Sequence, residues 1–108
     1  MPAAASPLAV ATVQARALAT VAEPTRLRIL LLLRGGPQTV GKVAEAVGAH
    51  IANASHHLVL LRLAGIVESR KRGRHVEFRL HPDNYRPAQR ASGGGVLELG
   101  GLRLHLGG

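Results

Sequence analysis

The stretch ASHHLVLLRLAGIV, Ala54 to Val67, sets two adjacent histidines ahead of a leucine-rich run that ends at Gly65. Consecutive residues on a helix point about 100° apart, whereas one helix grips an ion with side chains three or four positions apart. His56 and His57 therefore meet different surroundings. Ala54, Leu58 and Leu61 form one stripe with His57 at its edge, while Ala52, Ser55, His56, Val59 and Arg62 lie on the other side. On the first stripe His57 is expected as a hydrogen-bonded ring flanking the core rather than a metal ligand. The second side, with Asn53, carries groups that can bond base edges or phosphates, where a merely solvated face would carry more Glu and Lys.

Upstream, Thr39 can cap a helix VGKVAEAV, in which Val40, Val43, Ala44 and Val47 recur at helical spacing before Gly48 closes it. A second helix follows over about 50–64, and the pair makes a helix-turn-helix whose second helix enters a major groove. Before it, EPTRLRILLLLRGG starts a helix at Pro24 and Thr25, directs Leu27, Ile29, Leu30 and Leu33 to a core, and stops at Gly35 and Gly36. The Ala-rich segment 8–22 is uncharged except for Arg16 and carries an apolar stripe of Leu8, Val10, Val13, Leu18 and Val21. That stripe packs either within the chain or against a second subunit.

Downstream, Ile66, Val76, Phe78 and Leu80 alternate with polar residues around Arg72-Gly73, the pattern of a hairpin. Its tip holds Arg70, Lys71, Arg72 and Arg74, with His75. Such a charge run is either a solvated turn or a wing gripping phosphates, and its place beside a helix-turn-helix favours the wing. Beyond Tyr85, RPAQRASGGG has the composition of a linker. In VLELGGLRLHL a two-residue turn at Gly100-Gly101 sets Leu99 opposite Leu102, Glu98 opposite Arg103 and Leu97 opposite Leu104, so one face is all leucine. An isolated hairpin is marginal in water, so this one needs a docking surface or stays mobile.

The expected fold is mainly α with a small β-hairpin wing, an α+β winged helix-turn-helix. The expected layout is a disordered N-terminus over 1–6, a DNA-binding domain over 7–81, and a flexible or weakly structured tail over 82–108 with a β-hairpin at 96–106. With 108 residues there is material for one small domain. Fourteen Lys and Arg against six Asp and Glu give a formal charge of +8, a field that attracts polyanions, so nucleic acid is the leading partner class, and with a helix-turn-helix double-stranded DNA is the expected partner. There is no cysteine, and the longest apolar run, Ile29 to Leu33, is too short to span a bilayer. A cytoplasmic protein without a membrane partner is expected. No nucleophile with its base and no phosphate loop emerges, so an enzyme is not expected.

The segments EPTRLRILLLL, TVGKVAEAVG and ASHHLVLLRLAGIVESRKRGRHVEFRL, from about Val21 to Leu80, resemble the ArsR/SmtB family of bacterial winged helix-turn-helix regulators. The resemblance implies a homodimer on an imperfect palindrome near a promoter, commonly with a metal ion altering DNA affinity. With the helix face and the charge run read above, the expected DNA contacts are Ala52, Asn53, Ser55 and His56 to bases, and Arg62 on the second helix with Arg70, Lys71, Arg72 and Arg74 on the wing to phosphates. The chain departs from the family in three places. Thr39-Val40-Gly41 stands where a Cys-Val-Cys thiolate sensor is found, which argues against arsenite, cadmium, lead and copper(I). After the wing, Pro82-Asp83-Asn84-Tyr85-Arg86-Pro87 stands where a last helix with a His/Asp site is found, so dimerisation would fall on the N-terminal helix, with the C-terminal hairpin as a substitute. The recognition helix opens with His50 and Ile51 in place of a capping Ser and a polar residue. Candidate ligands for nickel or zinc are His50, His75, His81, Asp83, Glu98 and His105, which are dispersed; only His81 and Asp83 are close in sequence. The expected function is metal-responsive transcriptional regulation, with the ion held directly or by a metal-binding co-regulator protein. The alternative is a protein-interaction module on the same scaffold with only generic nucleic-acid affinity.

Overall fold

The computed structural model describes residues 6–88 and 94–107. Of the segment expected to be disordered, residues 1–5 lie outside the described residues, and the Ser6 hydroxyl accepts from the Ala9 amide to cap helix α1, Pro7–Val21. Helix α2 is Pro24–Leu33, with Glu23 as its cap and proline at its first position, where a missing N–H costs nothing. Strand β1, Gln38–Thr39, leads into α3, Val40–Val47, which Thr39 caps as expected. Gly48, at φ 67°, adopts the left-handed conformation that lets the chain turn sharply into α4, Ile51–Leu63. Strands β2, Val67–Arg72, and β3, His75–Leu80, form the wing around a Gly73-Arg74 turn.

Two short strands were not visible in the alternation of the sequence. Thr39 and Gln38 pair with Glu77 and Phe78, so β1 extends the wing into a sheet of order β1-β3-β2. Strand β4, Tyr85–Arg86, pairs with Leu97 and Val96 of β5, Gly95–Leu99, and β6, Leu102–Leu106, completes a second sheet of order β4-β5-β6. The described part of the tail therefore pairs as β5 and β6 in the register that Gly100-Gly101 implies. Part of the expected linker, residues 89–93, lies outside the described residues.

The docking surface that an isolated hairpin lacks is supplied by the helices. Leu97, Leu99 and Leu106 are buried in the same cluster as Ile29, Leu30, Leu33, Leu58 and Leu61, so the two sheets and the helices share one core. Gln14 of α1 donates to the Gly100 carbonyl at 3.1 Å, and Arg34 donates to the carbonyls of Leu106 and Gly107. Asn84 donates to the Gly65 carbonyl at 2.7 Å, pinning the start of the tail to the end of α4. Leu27 corrects one expectation: it is 38% exposed, because α2 turns Ile29, Leu30 and Leu33 inward and leaves Leu27 and Leu31 on its outer side.

Candidate nucleic-acid interface

The inner face of α4 is fixed first. Ala54, Leu58 and Leu61 are fully buried, which leaves Ala52, Asn53, His56 and Arg62 exposed and Ser55 and Val59 half-buried on the opposite side. The two histidines part as their spacing requires, with ring centroids 6.1 Å apart and planes tilted by 54°. His57 is half-buried, and its Nδ1 accepts from Arg26 Nη1 at 3.2 Å with Glu23 Oε2 at 3.8 Å. Arg26 Nε also donates to the Thr20 carbonyl at the end of α1. Arg26 and Glu23 thus join three helices, a role that sequence reasoning missed because 31 positions separate Arg26 from His57. The backbone hydrogen bond from Arg26, before all other causes, holds the Glu23 carboxyl below its ordinary 4.5; removal from water opposes this, and the Thr25 amide and the Arg26 charge add to the lowering.

The wing stands beside this helix. Arg62 Nη1 donates to Ser69 Oγ on β2 at 3.4 Å, so the outer row of α4 runs directly to the base of the hairpin. At the tip, Arg70, Lys71, Arg72, Arg74 and His75 are all exposed. Arg72 lies 3.6 Å from Glu77, while Arg70, Lys71 and Arg74 make no ion pair among the described residues. Four cations projecting from a narrow ribbon next to a polar helix face have the geometry and sign for a phosphate backbone.

The six candidate metal ligands are not brought together. His50 is the cap position before α4, His75 sits at the wing tip, His105 on β6 lies opposite Val96, and Glu98 is paired with Arg103 at 3.1 Å. His81 has Asp83 Oδ2 at 3.9 Å and Glu68 Oε2 at 3.7 Å, but its Nδ1 accepts the Asp83 amide, and Glu68 is already paired with Arg79 at 2.5 Å. An ion placed there would face a guanidinium. Among the described residues no group of three His, Asp or Glu side chains is placed to hold a metal, and the residues of one chain do not fit a nickel or zinc ion. No described helix is long and apolar enough to cross a membrane.

Comparison with known proteins identifies the scaffold. Residues 21–70 match the model of a helix-turn-helix domain. The chain is 34% identical over 61 residues to the transcriptional repressor SdpR of Bacillus subtilis, covering 56% of this chain and 68% of that protein. It is 40% identical over 67 residues to the transcriptional regulator NmtR of Mycobacterium tuberculosis, covering 62% of this chain and 56% of the relative. Among solved structures, a homodimeric winged helix-turn-helix DNA-binding domain from Mycobacterium bovis, described as a possible ArsR-family regulator, superposes with a TM-score of 0.65 at 32% identity. That match covers 77% of this chain and 78% of the other. These relatives are regulators of transcription, not enzymes. With its helix-turn-helix, its basic wing and these relatives, the chain belongs to the ArsR/SmtB family of DNA-binding winged helix-turn-helix transcriptional regulators.

Proposed function

We propose that the chain acts as a homodimer on an operator with two-fold symmetry, placing α4 in the major groove of each half-site and the wing on the flanking backbone. The observation that carries this reading is the single surface formed by the outer row of α4 and the cationic tip, linked by Arg62 and Ser69. Asn53, Ser55, His56 and the Ala52 methyl meet base edges; Arg62, Arg70, Lys71, Arg72 and Arg74 hold phosphates. The second copy is supported by α1, where Leu8 is 78% and Val13 58% exposed, apolar side chains that the other described residues leave uncovered.

Fluorescence anisotropy on the DNA upstream of the chain's own gene and on a scrambled duplex tests the reading. Binding to the upstream DNA tighter by about tenfold or more supports a specific regulator, since specific sites exceed random DNA by at least that margin. Asn53→Ala should narrow the difference between the two duplexes, whereas Arg72→Ala should weaken both alike. Equal binding throughout would favour the protein-interaction module. A nickel or zinc response needs ligands completed by a second chain or by a partner protein, because those of one chain stand apart. Calorimetry of the isolated dimer with either ion distinguishes these two routes.

A further inference from the structure

Ile51 is unexplained by the fold. It is the first residue of α4, 59% exposed, and it has no place in the core. A hydrophobic staple would use the residue before the cap and the fourth helical residue, Ala49 and Ala54, not this position. An isoleucine gains nothing as a helix starter, being β-branched and unable to cap. Yet it stands in register with the interface. Ile51, Ser55, Val59 and Arg62 follow at spacings of four, four and three, a single stripe whose far end reaches Ser69 on the wing. The first turn of such a helix is the part that reaches deepest towards base edges.

We propose that Ile51 reads thymine, through contact of its side chain with the C5-methyl group in the major groove. Resting on the assignment of α4 to the groove, this adds an apolar specificity contact to the polar row. Of the four bases only thymine presents a methyl there, so an exposed branched apolar side chain in this position discriminates without a hydrogen bond. Burying the pair of apolar surfaces also gives the exposed isoleucine a function consistent with its chemistry.

The test begins by enriching bound sequences from randomised duplexes with the full chain, then replaces each thymine of the enriched site by deoxyuridine, which deletes only the methyl. One thymine in each half-site is expected to be sensitive, with binding weakened about fourfold per methyl, as for one buried methylene. Ile51→Ala should weaken binding by a similar factor and abolish the difference between thymine and deoxyuridine at that position, while Ile51→Val retains part of it. Since Ile51 is exposed, both variants should unfold at the wild-type denaturant concentration. An enriched site at which no thymine is sensitive, or a sensitivity that Ile51→Ala preserves, overturns the proposal. Failure to enrich any sequence overturns the reading of α4 itself, and this proposal with it.

Discussion

The two hairpins of this protein have similar length and opposite uses. The wing, β2–β3, turns at Gly73-Arg74 and ends in exposed cations; the tail hairpin, β5–β6, turns at Gly100-Gly101 and ends against α1. Both are antiparallel ribbons in which alternate side chains share a face. In the wing the buried apolar residues stop at the base: Val67, Phe78 and Leu80 are buried, Ser69 and Glu77 are half-buried, and residues 70–76, Val76 included, are exposed. In the tail the leucines continue to the turn, with Leu97, Leu99 and Leu106 buried, so the ribbon lies flat on the core. The position of the last inward-facing apolar residue decides whether a hairpin reaches out or closes over. A ribbon that reaches out can meet a partner, and one that closes over contributes to stability.

That contrast can be broken most severely at Leu97. Leu97→Ala, at a fully buried position, should lower unfolding free energy by about 2–5 kcal/mol in urea titration. Gly95→Ala comes next, since a Cβ there would overlap the Tyr85 ring on the neighbouring strand. Forcing that displacement should cost about 1–3 kcal/mol, seen as a lower melting temperature, with Tyr85→Ala relieving part of the strain. In the wing the expected result is reversed. Replacing Lys71 and Arg74 together with Ala should leave stability within about 0.5 kcal/mol. The same pair should weaken binding to every duplex and reduce the slope of log affinity against log salt by about 2. The smallest effect concerns the helical frame that both hairpins share. Glu23 has a folded pKa below 4.5, so its contribution is present above that pH and is lost as pH falls through the lowered value. The stability difference between wild type and Glu23→Gln should therefore be full near pH 6 and vanish in acid, as followed by thermal melts.

Much of this fold is legible along the chain because its signals are local. Thr39, Gly48 and Gly65 mark the ends of α3 and α4, and the heptad-like spacing of Ala54, Leu58 and Leu61 already separates the two histidines. The tail register follows from Gly100-Gly101 alone. What escaped the sequence depends on distant partners. Strands of two residues, β1 and β4, are too short to show alternation and exist only because β3 and β5 pass beside them. In LRILLLL almost every position is apolar, so periodicity cannot distinguish buried Ile29 from exposed Leu27. The docking of the tail needs the joint surface of α1 and α2, and the partner of His57 comes from a different helix. Ile51 stands out in the sequence as a departure from the family, but only its exposure shows that the core leaves it unused.

Arg26 has a consequence for how two copies could straddle DNA. One guanidinium bonds the end of α1 through Thr20 and α4 through His57, so one planar group ties these two helices together and helps hold the angle between them. If two chains meet along α1, that angle becomes the caliper fixing how far apart their recognition helices stand. Successive major grooves on one side of a duplex recur about every 34 Å, and a caliper with a small angular error misses the second groove. A side chain remote from every base would thereby contribute to which half-site spacing the protein accepts.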